Sequence, residues 1–230
     1  ISLQGYLKYR ENGYDWGGVA LPDEDYTLYP GYIANQVFTT RDINGRLHYR
    51  ILDSLKSVTR IDFQETTIDT TNYLQAGMES SVRERVMFNQ SLTWTPSPRV
   101  FFTGTFNLVD DLTESGAADL EGVFSGIVVN LPNDYWQVDF NMYTVVSKLV
   151  DLQLGYQYME MSNYLNTAPK TVPYGKDLTQ HHGSAQVILH LNEWTRSRLG
   201  YDYYEYDEPS AGGNRDYRVH LVSGSLQVIF

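Results

Sequence analysis

Apolar and polar residues alternate with a period of two along nearly the whole chain, and no stretch gives a convincing 3.6-residue period. In the segment 1–10, Ile1, Leu3, Leu7 and Tyr9 fall on one face and Gln4, Tyr6, Lys8 and Arg10 on the other. The same pattern predicts strands over about 35–51, 57–66, 80–94 and 99–109, and again over 135–146, 149–161, 181–191, 196–206 and 216–230. In the fourth segment Glu84 and Gln90 fall on the apolar side, as departures from the pattern. The reading is all-β, in one domain covering 1–230, with about ten strands.

The connections alternate between short and long. Short ones are Asp53-Ser54-Leu55-Lys56, Thr95-Pro96-Ser97-Pro98-Arg99, Ser147-Lys148 and Asn192-Glu193-Trp194-Thr195. Long ones cover about 11–34, 67–79, 110–134, 162–180 and 207–215. Within the third, Val123 to Val129 is itself strand-like and could extend the wall as a hairpin. Short periplasmic turns alternating with long extracellular loops mark an up-and-down antiparallel β-barrel that spans a membrane.

Alternation alone does not say which face looks inward, so a soluble barrel or sandwich is the plain alternative. Composition and chain end weigh against it. The chain has 19 Tyr, 9 Phe, 4 Trp and no Cys, and aromatic residues gather near strand ends, as at Tyr9, Trp94, Trp136, Tyr158, Tyr201 and Tyr203. Aromatic girdles at the two bilayer interfaces have this placement. No window is apolar enough for a helical span, whereas a barrel wall needs apolar residues at every second position only. The last residues, Val222-Ser223-Gly224-Ser225-Leu226-Gln227-Val228-Ile229-Phe230, put Phe230, Val228 and Leu226 in one phase. This ending resembles that of bacterial outer-membrane β-barrel proteins as a broad class. The resemblance implies an outer-membrane location in a Gram-negative-type cell, lipid as surroundings, and recognition of Phe230, Val228 and Leu226 by the barrel-assembly machinery. Tyr217, Val219 and Leu221 lie in the opposite phase, which predicts a bulge near Gly224 or lipid contact beginning below it. The chain starts at Ile1 inside an alternating segment with no signal peptide, which reads as a mature or trimmed product.

The net charge is −11, which excludes a nucleic-acid footprint. Acids gather in the long connections, as in Pro22-Asp23-Glu24-Asp25 and Tyr206-Asp207-Glu208, while arginines sit inside strands. With the apolar face toward lipid, the lumen receives Lys8, Arg10, Asp42, Asp62, Asp139, Asp151, His182, His190, Arg198 and Asp202, together with a basic cluster. That cluster, Arg46, His48, Arg50, Arg60, Arg83 and Arg85 from the second to fourth strands, is the candidate selectivity patch of a small porin or transport channel. Filling of a narrow lumen by charges paired across opposing walls is the structural alternative. No cofactor or metal motif is present. An omptin-like protease would need acids and a His at the outer rim, for which Asp110-Asp111 and His181-His182 are the available residues, without a matching motif. The chain is therefore expected not to be an enzyme. Two other readings stay open: a closed structural or surface-binding barrel, alone or with other outer-membrane subunits, and the C-terminal part of a larger barrel. The latter's texture loosely resembles the sheaths around multihaem cytochromes.

Overall fold

The computed structural model describes residues 1–15, 33–72, 80–114, 130–166 and 174–228. Pro22-Asp23-Glu24-Asp25, the strand-like Val123 to Val129 and Phe230 lie outside the described residues. The strands are β1 (Ser2–Asp15), β2 (Ile33–Leu52), β3 (Leu55–Asn72), β4 (Ser81–Ser97), β5 (Val100–Glu114), β6 (Leu131–Pro132), β7 (Tyr135–Val145), β8 (Val150–Ser162), β9 (Asp177–His190), β10 (Thr195–Asp207) and β11 (Tyr217–Val228). All ten expected strands are present, and the two-residue β6 is an addition that pairs with the top of β5.

Every pairing is antiparallel between chain neighbours, in the order β1-β2-β3-β4-β5-β7-β8-β9-β10-β11. The expected closure into a barrel is absent: no hydrogen-bonded register joins β1 to β11, and each pairs on one side only. Several strands also outrun their sequence limits at the ends remote from the short turns, β1 to Asp15, β3 to Asn72 and β5 to Glu114. There both faces are polar, so the ladder continues without an alternation to signal it. The bulge expected near Gly224 is not made. The register of β11 on β10 runs unbroken from Tyr217 to Val228, so Tyr217, Val219 and Leu221 lie beside Tyr206, Tyr204 and Asp202 on the polar face.

Burial distinguishes the two faces. Thr40, Asn44, Asp62, Val109, Asp111, Asp151, Leu178, Ile188 and Gly200 are the buried strand residues among those described, and the registers put all of them on the polar face. Leu3, Leu7, Ile43, Leu47, Phe63, Phe140, Leu154, Leu199, Val222 and Leu226, all on the opposite face, are exposed. The sheet therefore curls around its polar face and turns its apolar face outward, the reverse of a soluble barrel. Cross-strand aromatic rows reinforce the outer face, with Trp94, Phe102 and Phe140 in one and Phe88, Phe106, Trp136 and Tyr158 in the next.

Counted upward from the short-turn end, and from Ile1 on the first strand, the first five outward positions of the ten long strands hold no Asp, Glu, Lys or Arg. The next outward position is charged on seven strands, by Glu11, Arg41, Glu65, Asp110, Glu160, Glu205 and Arg218; on β4 Glu84 follows one position later, on β7 Asp134 lies just beyond the strand, and on β9 the position is Thr179. Five alternate positions span nine residues, about 26 Å along a strand. Followed along the hydrogen-bonded rungs, this charged boundary slips in one direction. Glu11 stands two residues above the rung of Arg41, Glu65 and Glu84; Asp110 stands two below it, Glu160 two lower again, and Glu205 with Arg218 two lower still. Eight residues over nine strand-to-strand steps correspond to a strand tilt of roughly 30°.

The polar departures on the outer face are satisfied locally. Thr59 donates to Gln90 Oε1 at 2.6 Å, and Gln90 Nε2 donates to Ser57 Oγ at 2.7 Å. Near the charged boundary, the Tyr156 hydroxyl lies 2.8 Å from His181 Nδ1 and that of Tyr201 2.7 Å from His220 Nδ1. Tyr158 donates to Glu160 at 2.9 Å and Tyr203 to Glu205 at 2.8 Å, so each ring covers the wall while its hydroxyl finds a polar partner.

Candidate functional site

All six residues of the basic cluster fall on the polar face of three neighbouring strands, β2, β3 and β4. Alternation dictates this, because Arg46, His48 and Arg50 share one phase, as do Arg83 and Arg85. The structure splits the cluster into a neutralised upper part and an uncompensated lower part. In the upper part Arg60 donates to Asp62 at 2.7 Å, and Asn44 Nδ2 donates to the same carboxylate oxygen at 2.8 Å. Arg83 grips Asp111 with two nitrogens, Nε at 2.7 Å and a guanidinium NH2 on the second oxygen, while Arg85 Nε stands 3.9 Å from it. Asp62 is 4% exposed and Asp111 2% exposed, so both carboxylates are held inside the wall and depend on these partners. Asp42 Oδ1 and Arg85 Nε are buried without a hydrogen-bond partner among the described residues and border a common recess of about 180 Å³.

In the lower part the register sets Arg46 directly opposite Arg60, His48 opposite Val58 and Arg50 opposite Lys56. The acid nearest Arg50, Asp53, stands 3.8 Å away with both side chains exposed, a weak, screened pair. Lys56 belongs to this group but reads as a turn residue in the sequence; its shared phase with Arg60 on β3 is the signal that identifies it. Asp111 is the other residue sequence reading missed. Beside Asp110 it reads as solvated rim, yet adjacent strand residues point to opposite faces, so Asp110 faces out and Asp111 in.

The wall from β7 to β10 uses different chemistry. Tyr143 donates to Asp151 Oδ2 at 2.7 Å, and His190 Nε2 lies 2.7 Å from the same oxygen, with Asp151 only 5% exposed. His182 Nε2 lies 3.1 Å from Asp202 while its ring stacks on Tyr204 at 4.1 Å between centroids. Gln137 donates to both oxygens of Asp139. Between these pairs is a recess of about 360 Å³ lined mostly by uncharged residues, Asn141, Tyr143, Gln153, Gly155, Ser184 and Gln186 among them, with Asp202 at one side. Gly155 is needed there, since a Cβ would stand 2.5 Å from Ser184 Oγ and 3.1 Å from Asn141 Oδ1.

Each of these carboxylate contacts joins the same or adjacent strands. Among the described residues these contacts run along the wall of the open sheet, and side chains such as Arg46 and Arg50 remain exposed on the inner face. The residues considered for proteolysis do not converge. Asp110 and His181 face outward, Asp111 and His182 inward, on strands separated by β7 and β8. Among the described residues no three His, Asp or Glu side chains converge as metal ligands. At the far rim Glu208 accepts the Tyr206 hydroxyl at 2.7 Å and Arg215 at 3.1 Å, and Asp177 and Ser210 tie β9 to the short turn Pro209–Ala211. Leu226 and Val228 face outward, paired with Ser197 and Thr195. No protein-family model matches the chain, and no curated protein matches it.

Proposed function

We propose that this chain forms wall of an outer-membrane β-barrel whose polar face lines a solute channel with a preference for anions. The outward run of five uncharged positions on the long strands, ended by a charge on all but β9, carries this reading. A transmembrane strand needs about 9–11 residues and an apolar band about 25 Å tall; the run supplies nine residues and, once tilted, roughly 23 Å. The tilt of roughly 30° is close to the 35–45° typical of such barrels. Tyrosines near the charged boundary supply the interfacial girdle.

In hydrocarbon every backbone N–H and C=O must be paired. The free edges of β1 and β11 therefore find partners in the membrane. They run antiparallel to one another, so closure by direct pairing or through intervening strands gives an even total. Leu226, Val228 and Phe230 would then be the strand read by the barrel-assembly machinery. Arg46, Arg50 and Lys56, which no buried acid among the described residues neutralises, line the channel near the short turns with His48 between them.

Single-channel recording in a planar bilayer under a salt gradient tests the reading. The expected result is stable, anion-selective steps. Arg46→Gln with Arg50→Gln should reduce selectivity more than Arg60→Gln with Arg83→Gln, because Asp62 and Asp111 already compensate the latter pair. Stable insertion without conductance would favour the second reading, a closed barrel acting through its rim, which the contacts of Tyr206 and Arg215 to the buried Glu208 support.

A further inference from the structure

Like charges directly opposite one another on an antiparallel ladder are destabilising, yet β2 and β3 carry two such rungs in an unbroken register, Arg46 with Arg60 and Arg50 with Lys56. His48 lies between them on the same face. Among the described residues the acids near these rungs are Asp62, which already accepts from Arg60 and Asn44, Asp42, which shares a recess with Arg60, and the exposed Asp53, 3.8 Å from Arg50. A recess adjoins each rung. The one at Arg46 and Arg60, about 280 Å³, also takes in Asn89, Asn107 and Tyr135, which add neutral polar groups. The one at Arg50 and Lys56, about 510 Å³, includes His48 and Ser2 on the inner face and reaches the outward Tyr49 and Ser57 at the strand ends. Four residues separate the rungs, about 13 Å along the strand, a span that long Arg and Lys side chains close further.

We infer that these two rungs form a binding track for a polyvalent oxyanion, such as an oligophosphate or a polycarboxylate, on the inner wall near the short turns. Guanidinium groups bind phosphate and carboxylate oxygens in bidentate fashion, and a ligand with several anionic groups in series meets both rungs at once, whereas a single small anion meets one. The ligand supplies the counter-charge the wall omits. The location at a channel mouth rests on the proposed function; the site itself rests on the ladder.

The test is titration calorimetry of the protein folded in detergent micelles, at constant ionic strength, with tripolyphosphate and orthophosphate as probes. Tripolyphosphate is expected to bind at least tenfold more tightly than orthophosphate. Arg46→Gln with Arg50→Gln should weaken it at least tenfold, and Lys56→Gln alone severalfold, so that a folding failure of the double variant leaves a reading. Arg99→Gln with Lys148→Gln removes the same net charge from the turns and should change binding less than twofold. Equal binding of the two probes, or an equal loss in the turn variant, overturns the site. Binding in a protein that does not conduct would retain the site and sink the channel; conductance without tight tripolyphosphate binding would do the reverse.

Discussion

The outward and inward faces of this wall are built on the same strands, one residue apart in phase, and they obey opposite rules. Outward, charge is missing for nine residues and then arrives on almost every strand at the same position. Inward, charge occurs at every height, and above the lower rungs of Arg46, Arg50 and Lys56 it is handled by local pairs: Arg60 with Asp62, Arg83 with Asp111, His190 with Asp151. The contrast teaches that the two faces meet different surroundings. A polar, hydrogen-bonding interior tolerates ions that have partners; an apolar exterior tolerates none until its border is crossed.

The sharpest way to break the comparison is to exchange the rules at neighbouring residues. Leu154→Arg puts a charge in the middle of the outward run of β8 and should cost about 2–4 kcal/mol in lipid. Gln153→Arg, on the inner face one residue away, should change stability by no more than about 0.5 kcal/mol. Urea unfolding from lipid vesicles reads both. A smaller contrast is available at Asp110 and Asp111. Asp111→Ala strips the partner from Arg83, and because that arginine is 41% exposed the cost should be about 2 kcal/mol, below that of a fully buried pair. Asp110→Ala should stay within about 0.5 kcal/mol by the same measurement. The smallest effect concerns the charged border, where Glu65 and Glu84 stand directly opposite each other while Glu65 also pairs with Arg41 at 3.2 Å. Glu84→Lys should stabilise by about 0.2–1 kcal/mol, an effect that added salt reduces.

The strands themselves were legible because five uncharged outward residues, alternating with polar ones over nine positions, leave a strong period of two. Their upper ends were not, since beyond Glu11, Glu65 and Asp110 both faces are polar and only the backbone ladder continues. Hydrophobic Tyr217, Val219 and Leu221 read as a phase break, whereas the structure keeps them in register on the inner face beside Tyr206 and Tyr204. The direction of curl was beyond reach of the alternation, which is symmetric between faces; burial of Asp62, Asp111 and Asp151 decides it. The basic cluster was legible as a set, because like phase on adjacent strands brings its members to one face. Its division was not, because neutralisation depends on register. That Asp111 meets Arg83 while Arg46 meets Arg60 follows from pairings between strands, which a single chain read end to end does not carry.

The central claim, that the uncharged outward run lies in lipid, is tested most directly by a nitroxide scan of β8 from Val150 to Glu160 in reconstituted vesicles. Collision with lipid-soluble oxygen should peak at Val150, Leu152, Leu154, Tyr156 and Tyr158, with a water-soluble nickel chelate favouring the residues between them and taking over at Glu160. Loss of that alternation, or nickel maxima on the even positions, would contradict the account.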